Sequence, residues 1–88
     1  MSNSTLLSYL KIDLGITTTA YDTRLTQYIE YAKSEIMREG VTLNDGDSQL
    51  VVMYAAWAWR RRDSGEGMPR MLRYALNNRV FAEKMNNG

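Results

Sequence analysis

Cysteine and histidine are both missing from this 88-residue chain, and proline occurs once. Without cysteine there is no disulfide, no thiolate nucleophile and no cysteine-ligated zinc. Without histidine the usual general base and the commonest metal ligand are gone, so Ser-His-Asp and Cys-His catalysis are excluded by inventory. Long apolar runs are lacking too. The longest, Leu50 to Trp59, has ten residues, against roughly 20 for a membrane-spanning helix. The opening Met1-Ser2-Asn3-Ser4-Thr5 has neither the basic stretch nor the apolar core of a signal peptide. A soluble protein of a reducing cytoplasm, with no membrane partner, is expected.

What is present favours folding. Hydrophobic residues make up 44% of the chain, enough for one domain rich in helix. A chain this short buries only about 60–65% of its unfolded surface, which leaves a thin stability margin. The net charge is +1, but it is unevenly divided: residues 1–59 carry −3 and residues 60–88 carry +4. Such polarity suits a nucleic acid at the basic end, or copies of the chain packing acidic face to basic face; arginines that simply cap helix ends give the same imbalance.

The hydrophobic spacing predicts an all-α bundle of about four helices, over 5–13, 20–39, 48–63 and 69–84, in a single domain spanning 1–88. Leu6, Leu10 and Leu14 recur along one stripe after Ser4, a candidate N-cap, and Gly15 ends the segment. Thr19 with Asp22 reads as a capping box opening the second helix near Ala20. In that helix Tyr21, Leu25, Tyr28, Ile29, Ala32 and Ile36 form one apolar stripe, and Gly40 sits where a left-handed C′ residue belongs. Asn44-Asp45-Gly46-Asp47 is a turn in which Asn44 or Asp47 can cap the third helix. Ser64-Gly65-Glu66-Gly67 breaks the chain, and Pro69 marks the first turn of the fourth helix, beyond which Asn86-Asn87-Gly88 is expected to fray.

The third helix is apolar on two faces. With Leu50 at 0°, Met53, Tyr54 and Trp57 fall within about 60° of it, whereas Val52, Ala55, Ala56 and Trp59 lie opposite, between about 140° and 240°. Two arrangements would cover both faces. Helices 1 and 4 can pack on the second face, placing both indoles in a monomer core, or the Trp59 face can be an interface with another subunit. Under the second reading, Trp59→Ala would weaken assembly more than folding. On the same wheel Arg60, Arg61 and Arg62 form a collar around the helix end, which fits capping or a charged rim better than a convergent phosphate cradle. Arg61 continues the Leu50–Trp57 face, so its stem covers apolar surface.

On helix 4, Arg70, Arg73 and Asn77 share one face and Leu72, Ala75 and Leu76 another. Two helices joined by a glycine-containing turn, the second rich in arginine, form a helix-turn-helix candidate over 69–79 for a small DNA-binding regulator; the connection from Ser64 to Met68 is longer than that motif uses. The carboxylates Glu30, Glu35 and Glu39 alternate with Lys33 and Arg38 at ion-pair spacing, as on a solvated face. No catalytic, cofactor-binding or metal-ligating constellation is present, and none of these activities is expected.

The stretch MYAAWAWRRRDSGEGMPRMLRYALNNRVFAEKM, from Met53 to Met85, resembles the head–tail connector (adaptor, or head-completion) proteins of long-tailed bacteriophages and prophages. LLSYLKIDLGI and YDTRLTQYIEYAKSEIMREG are similar to that family's opening helix and long second helix. The resemblance implies a non-enzymatic, all-helical subunit without cofactors. It would assemble with its own copies into a ring beneath the portal protein, extend a channel through which DNA passes without sequence-specific contact, and dock stopper or tail-completion proteins. It also implies assembly in the host cytoplasm followed by residence in the virion. By analogy, 80–88 would be a C-terminal arm contacting the portal or a neighbour through Val80, Phe81 and Met85, although only three residues follow Met85. The candidate interface residues are therefore Trp59, Arg60, Arg61, Arg62, Arg70, Arg73, Val80, Phe81 and Met85. For the arginine collar, protein contact is favoured over a grip on DNA, because phosphate contacts would impede passage through a conduit.

Overall fold

Four helices and no strand make up residues 1–87, the part of the chain that the computed structural model describes. Helix α1 (Asn3–Leu14) is capped by Ser2, whose hydroxyl accepts from the Thr5 amide, so the cap lies two residues before the Ser4 expected from sequence. Helix α2 (Asp22–Arg38) starts at Asp22 rather than near Ala20, and no side chain caps it. The predicted Thr19–Asp22 capping box does not form, and groups around it bond otherwise. The Thr18 hydroxyl accepts from the Ala20 amide in a local turn, and the Asp22 carboxylate turns to Lys11 of α1 at 2.8 Å. At the other end Gly40 adopts φ +99° and its amide bonds to the Met37 carbonyl at 2.9 Å, the left-handed stop that the sequence predicts.

A 3₁₀ turn (Asp45–Asp47) leads into α3 (Ser48–Ser64). Asn44 and Asp47 cap each other's backbone there: the Gly46 amide donates to the Asn44 side chain at 2.8 Å, and the Asn44 amide donates to Asp47 at 3.0 Å. Helix α4 (Arg70–Asn87) begins one residue after Pro69, whose carbonyl accepts the Arg73 amide. It continues through Asn86 and Asn87, which were expected to fray. Gly88 lies outside the described residues.

Polar ties fix the helix directions. Asn3 at the start of α1 meets Glu30 and Lys33 in mid-α2, while Lys11 meets Asp22, so α1 and α2 are antiparallel. Tyr28 packs on Trp59 and Tyr31 on Tyr54, so α2 and α3 are antiparallel as well. The core gathers Leu6 and Leu10 from α1, Leu25, Ile29, Ala32 and Ile36 from α2, and Leu72 and Leu76 from α4, around α3. Full burial of each large aliphatic among them is worth about 1.5–3 kcal/mol.

The α3–α4 connection doubles back. Trp57 donates its indole N–H to the Gly67 carbonyl at 3.1 Å, and Trp57 lies about 10 Å before the end of α3. Helix α4 therefore starts level with Trp57. Arg79 comes about 14 Å further along it, which matches the ~15 Å from Trp57 back to Asp47. There the Arg79 guanidinium meets Asp47 at 2.7 Å, Glu83 at 3.1 Å and the Thr42 carbonyl at 2.8 Å. The Glu83 carboxylate also accepts the Thr42 amide at 2.9 Å. This network latches the second half of α4 antiparallel to α3, against the α2–α3 connection.

One chain is enough to shelter the central helix. Trp57 is 7% exposed and Trp59 is 9% exposed. Tyr21 and Tyr28 of the α2 region stand edge-on to Trp59 at 5.7 and 5.5 Å, and Arg62 lies 3.7 Å over its ring. Trp57 has Tyr54 edge-on at 5.3 Å and Arg61 over its face at 4.6 Å. The reading of Trp59 as an interface residue is thus corrected: both indoles lie in the core of one chain, but aromatic rings of the α2 region and the helix's own arginine, rather than α1 and α4, cover Trp59.

Candidate interaction surfaces

Because α4 turns Leu72, Leu76, Arg79 and Glu83 inward, a different set of its residues faces outward. With Met71 at 0°, Tyr74, Asn78, Phe81 and Met85 fall at about 300°, 340°, 280° and 320°, one narrow stripe. The inward set lies between about 80° and 140°. Met71 is 76%, Tyr74 58%, Phe81 65% and Met85 67% exposed. Taking about 200 Å² for each fully exposed side chain, the four present roughly 500 Å², the size at which exposed apolar patches on monomers are often functional. Their 3–4 spacing is that of a and d positions in a helix-pairing seam, with Asn78 at an a position, where an asparagine fixes register.

The sequence-predicted residues distribute as follows. Phe81 and Met85 belong to this stripe, but Val80 is half-buried against the core. Segment 80–87 is the end of α4, held by the Arg79–Glu83 network, rather than a separate arm. Arg70 and Arg73 are exposed beside the stripe. All the acid on α4 is Glu83, which is buried, so the outward face of this helix carries only positive charge, from Arg70, Arg73 and Lys84. The antiparallel latch also removes the helix-turn-helix geometry, in which the second helix crosses the first at about 90–120°.

The members of the arginine collar go to different partners. Arg60 reaches the Asp13 carbonyl at the end of α1 at 3.4 Å. Arg61 donates to the Tyr31 hydroxyl at 3.3 Å, and Arg62 to the Trp59 carbonyl at 2.7 Å, with Asp63 at 3.7 Å. Contrary to the expectation of divergent arginines, Arg61 and Arg62 do share a groove, of about 620 Å³, with Arg24, Gln27, Tyr28 and Tyr31 of α2 opposite them and Ala58 between. Arg24 had not been singled out from sequence. The signal for it is the set Arg24, Gln27, Tyr28 and Tyr31, spaced i, i+3, i+4, i+7 on one face of α2.

The acidities of Arg79, Asp45 and Tyr54 are shifted. The hydrogen bond to Asp47 holds Arg79 protonated more firmly than an ordinary arginine, against the opposing effect of its burial. The chain's amino terminus, 2.6 Å away, pulls the Asp45 carboxyl below its usual range. Burial first, then the neighbouring Tyr31 and Glu35, pushes the Tyr54 phenol above its ordinary value. Among the described residues no cluster of carboxylates converges to hold a metal ion, and no helix is long and apolar enough to cross a membrane. No family model, curated protein or solved structure matches the chain.

Proposed function

We propose that this chain is a structural subunit of a phage or prophage head–tail connector, acting by assembly and not by catalysis. The observation that carries the reading is the outward stripe of α4, Met71, Tyr74, Phe81 and Met85, on a domain whose core is already complete. A helix that is apolar on the face its own fold does not use is built to meet another helix. Pairing α4 with α4 of a second copy would oppose Arg70, Arg73 and Lys84 to one another. Exposed Asp13, Glu30 and Glu39 lie instead on or beside α1 and α2. A head-to-tail contact, in which basic α4 meets a different surface of the next copy, avoids that repulsion and closes into a ring where the rotation between copies allows. The sequence resemblance to connector proteins supplies the setting: a ring on the portal protein, a surface for stopper or tail-completion proteins, a channel for DNA and residence in the virion.

The test is to mix the purified protein with its cognate portal protein and image the product by negative-stain microscopy. A ring added to the portal supports the reading. Absence of any portal complex, together with a salt-sensitive shift of one particular DNA duplex, would replace it with the regulator reading.

A further inference from the structure

The α2–α3 groove is separate from the α4 stripe, and its chemistry is different. Three guanidiniums line it, and each has five N–H donors. The chain's own acceptors take one from Arg61 and one from Arg62, and among the described residues Arg24 has no ion pair or hydrogen bond. Arg61 and Arg62 lie over the rings of Trp57 and Trp59, 4.6 and 3.7 Å from the ring centres. Each cation–π contact holds its guanidinium at the groove while most of its five donors stay uncommitted within the chain. Ala58 gives the groove an apolar floor, and Tyr28 and Tyr31 give it aromatic walls. The site is thus ordered in advance for an anion attached to something apolar.

Of the anions that fit, carboxylates on a peptide suit the surroundings better than a polyphosphate chain. Asp63 is exposed beside Arg62, and exposed Glu66 follows Gly65 at the groove's end. A nucleic acid backbone leaving the groove would carry its regularly spaced phosphates past both carboxylates. A short segment with one or two carboxylates and an apolar side chain can end before them. We propose that this groove binds an acidic, partly apolar peptide segment of a partner protein, with Arg24, Arg61 and Arg62 as carboxylate donors and Ala58, Tyr28 and Tyr31 as the apolar contact. The proposal does not depend on the connector reading.

Both indoles lie under the groove's arginines, so intrinsic tryptophan emission reports occupancy directly. The probe is an acetylated, amidated tetrapeptide of sequence Glu-Leu-Phe-Glu, titrated into the full chain by fluorescence and calorimetry. Parallel titrations use its all-Gln counterpart, inorganic phosphate and a DNA duplex. Saturable binding of the acidic peptide alone is expected. Arg24→Gln should weaken it about tenfold, the loss of one charge-assisted contact, and Arg70→Gln on α4 should leave it unchanged. Because the exposed Arg24 guanidinium makes no ion pair or hydrogen bond among the described residues, its variant keeps the fold even if an Arg62 variant does not. Absence of saturation, equal binding of the Gln peptide, tighter binding of phosphate or DNA, or an unchanged affinity in Arg24→Gln would each overturn the proposal.

Discussion

Replacing Arg79 by methionine keeps most of the side-chain stem and removes only the guanidinium. Asp47 and Glu83, 5% and 9% exposed, would then face each other without the cation between them. Breaking a buried ion pair from one side costs about 3–5 kcal/mol. Two features place this case at the low end of that range. The Arg79 side chain is itself 18% exposed, and each carboxylate keeps a backbone donor, Asn44 for Asp47 and Thr42 for Glu83. A loss of about 3 kcal/mol is therefore expected. A domain of this size has roughly 4–13 kcal/mol in all, so Arg79→Met should lower Tm by about 12–24 °C, at ~4–8 °C per kcal/mol. Urea denaturation followed by far-UV circular dichroism measures it. Adding Asp47→Leu to Arg79→Met should recover part of the loss, since it removes one stranded carboxylate. A cost below about 1 kcal/mol would refute the reasoning, because that is the size of a solvent-exposed pair.

Trp59→Ala should destabilise the isolated chain by about 3–5 kcal/mol, as truncation of a core aromatic does; a stable variant that merely fails to assemble would restore the interface reading of this residue. Tyr54 carries a pH dependence. Its folded-state acidity is weaker than in the unfolded chain, so its contribution is intact below the ordinary tyrosine value of about 10 and is lost as pH rises through the folded value. Denaturation midpoints above pH 10 should fall less steeply in Tyr54→Phe than in the parent, and equal slopes would contradict the assignment.

The helices themselves were readable from the chain because apolar spacing, Gly15, Gly40 and the Asn44–Asp47 turn all pointed one way. The fourth helix was harder. It carries two apolar stripes, Leu72–Leu76 and Met71–Tyr74–Phe81–Met85, and the wheel alone does not say which faces the core. The choice is made by Arg79 and Glu83, which a rule placing charge outside assigns to the wrong side; Arg79's pairing with Asp47, 32 positions away in sequence, and Glu83's bonds to Arg79 and the Thr42 amide turn them inward. Trp59 was misplaced for a related reason. Counting partner helices neglects that Tyr21 and Tyr28 bring large rings to one spot and that Arg62 folds back over the indole. The α2–α3 groove was hidden because its halves, Arg24 with Tyr28 and Tyr31, and Arg61 with Arg62, lie on different helices.

Under the proposed function, a domain complete by itself offers the outer stripe of α4 for assembly. Sedimentation velocity of Phe81→Ser/Met85→Ser beside the parent, over a range of concentrations and with the portal protein present, tests it most directly. Both replaced side chains are exposed, so the variant should melt within a few degrees of the parent, surface changes being worth about 0.5 kcal/mol or less. It should also sediment as a monomer under every condition in which the parent forms larger species. A variant that assembles as well as the parent, or that unfolds, would contradict the claim.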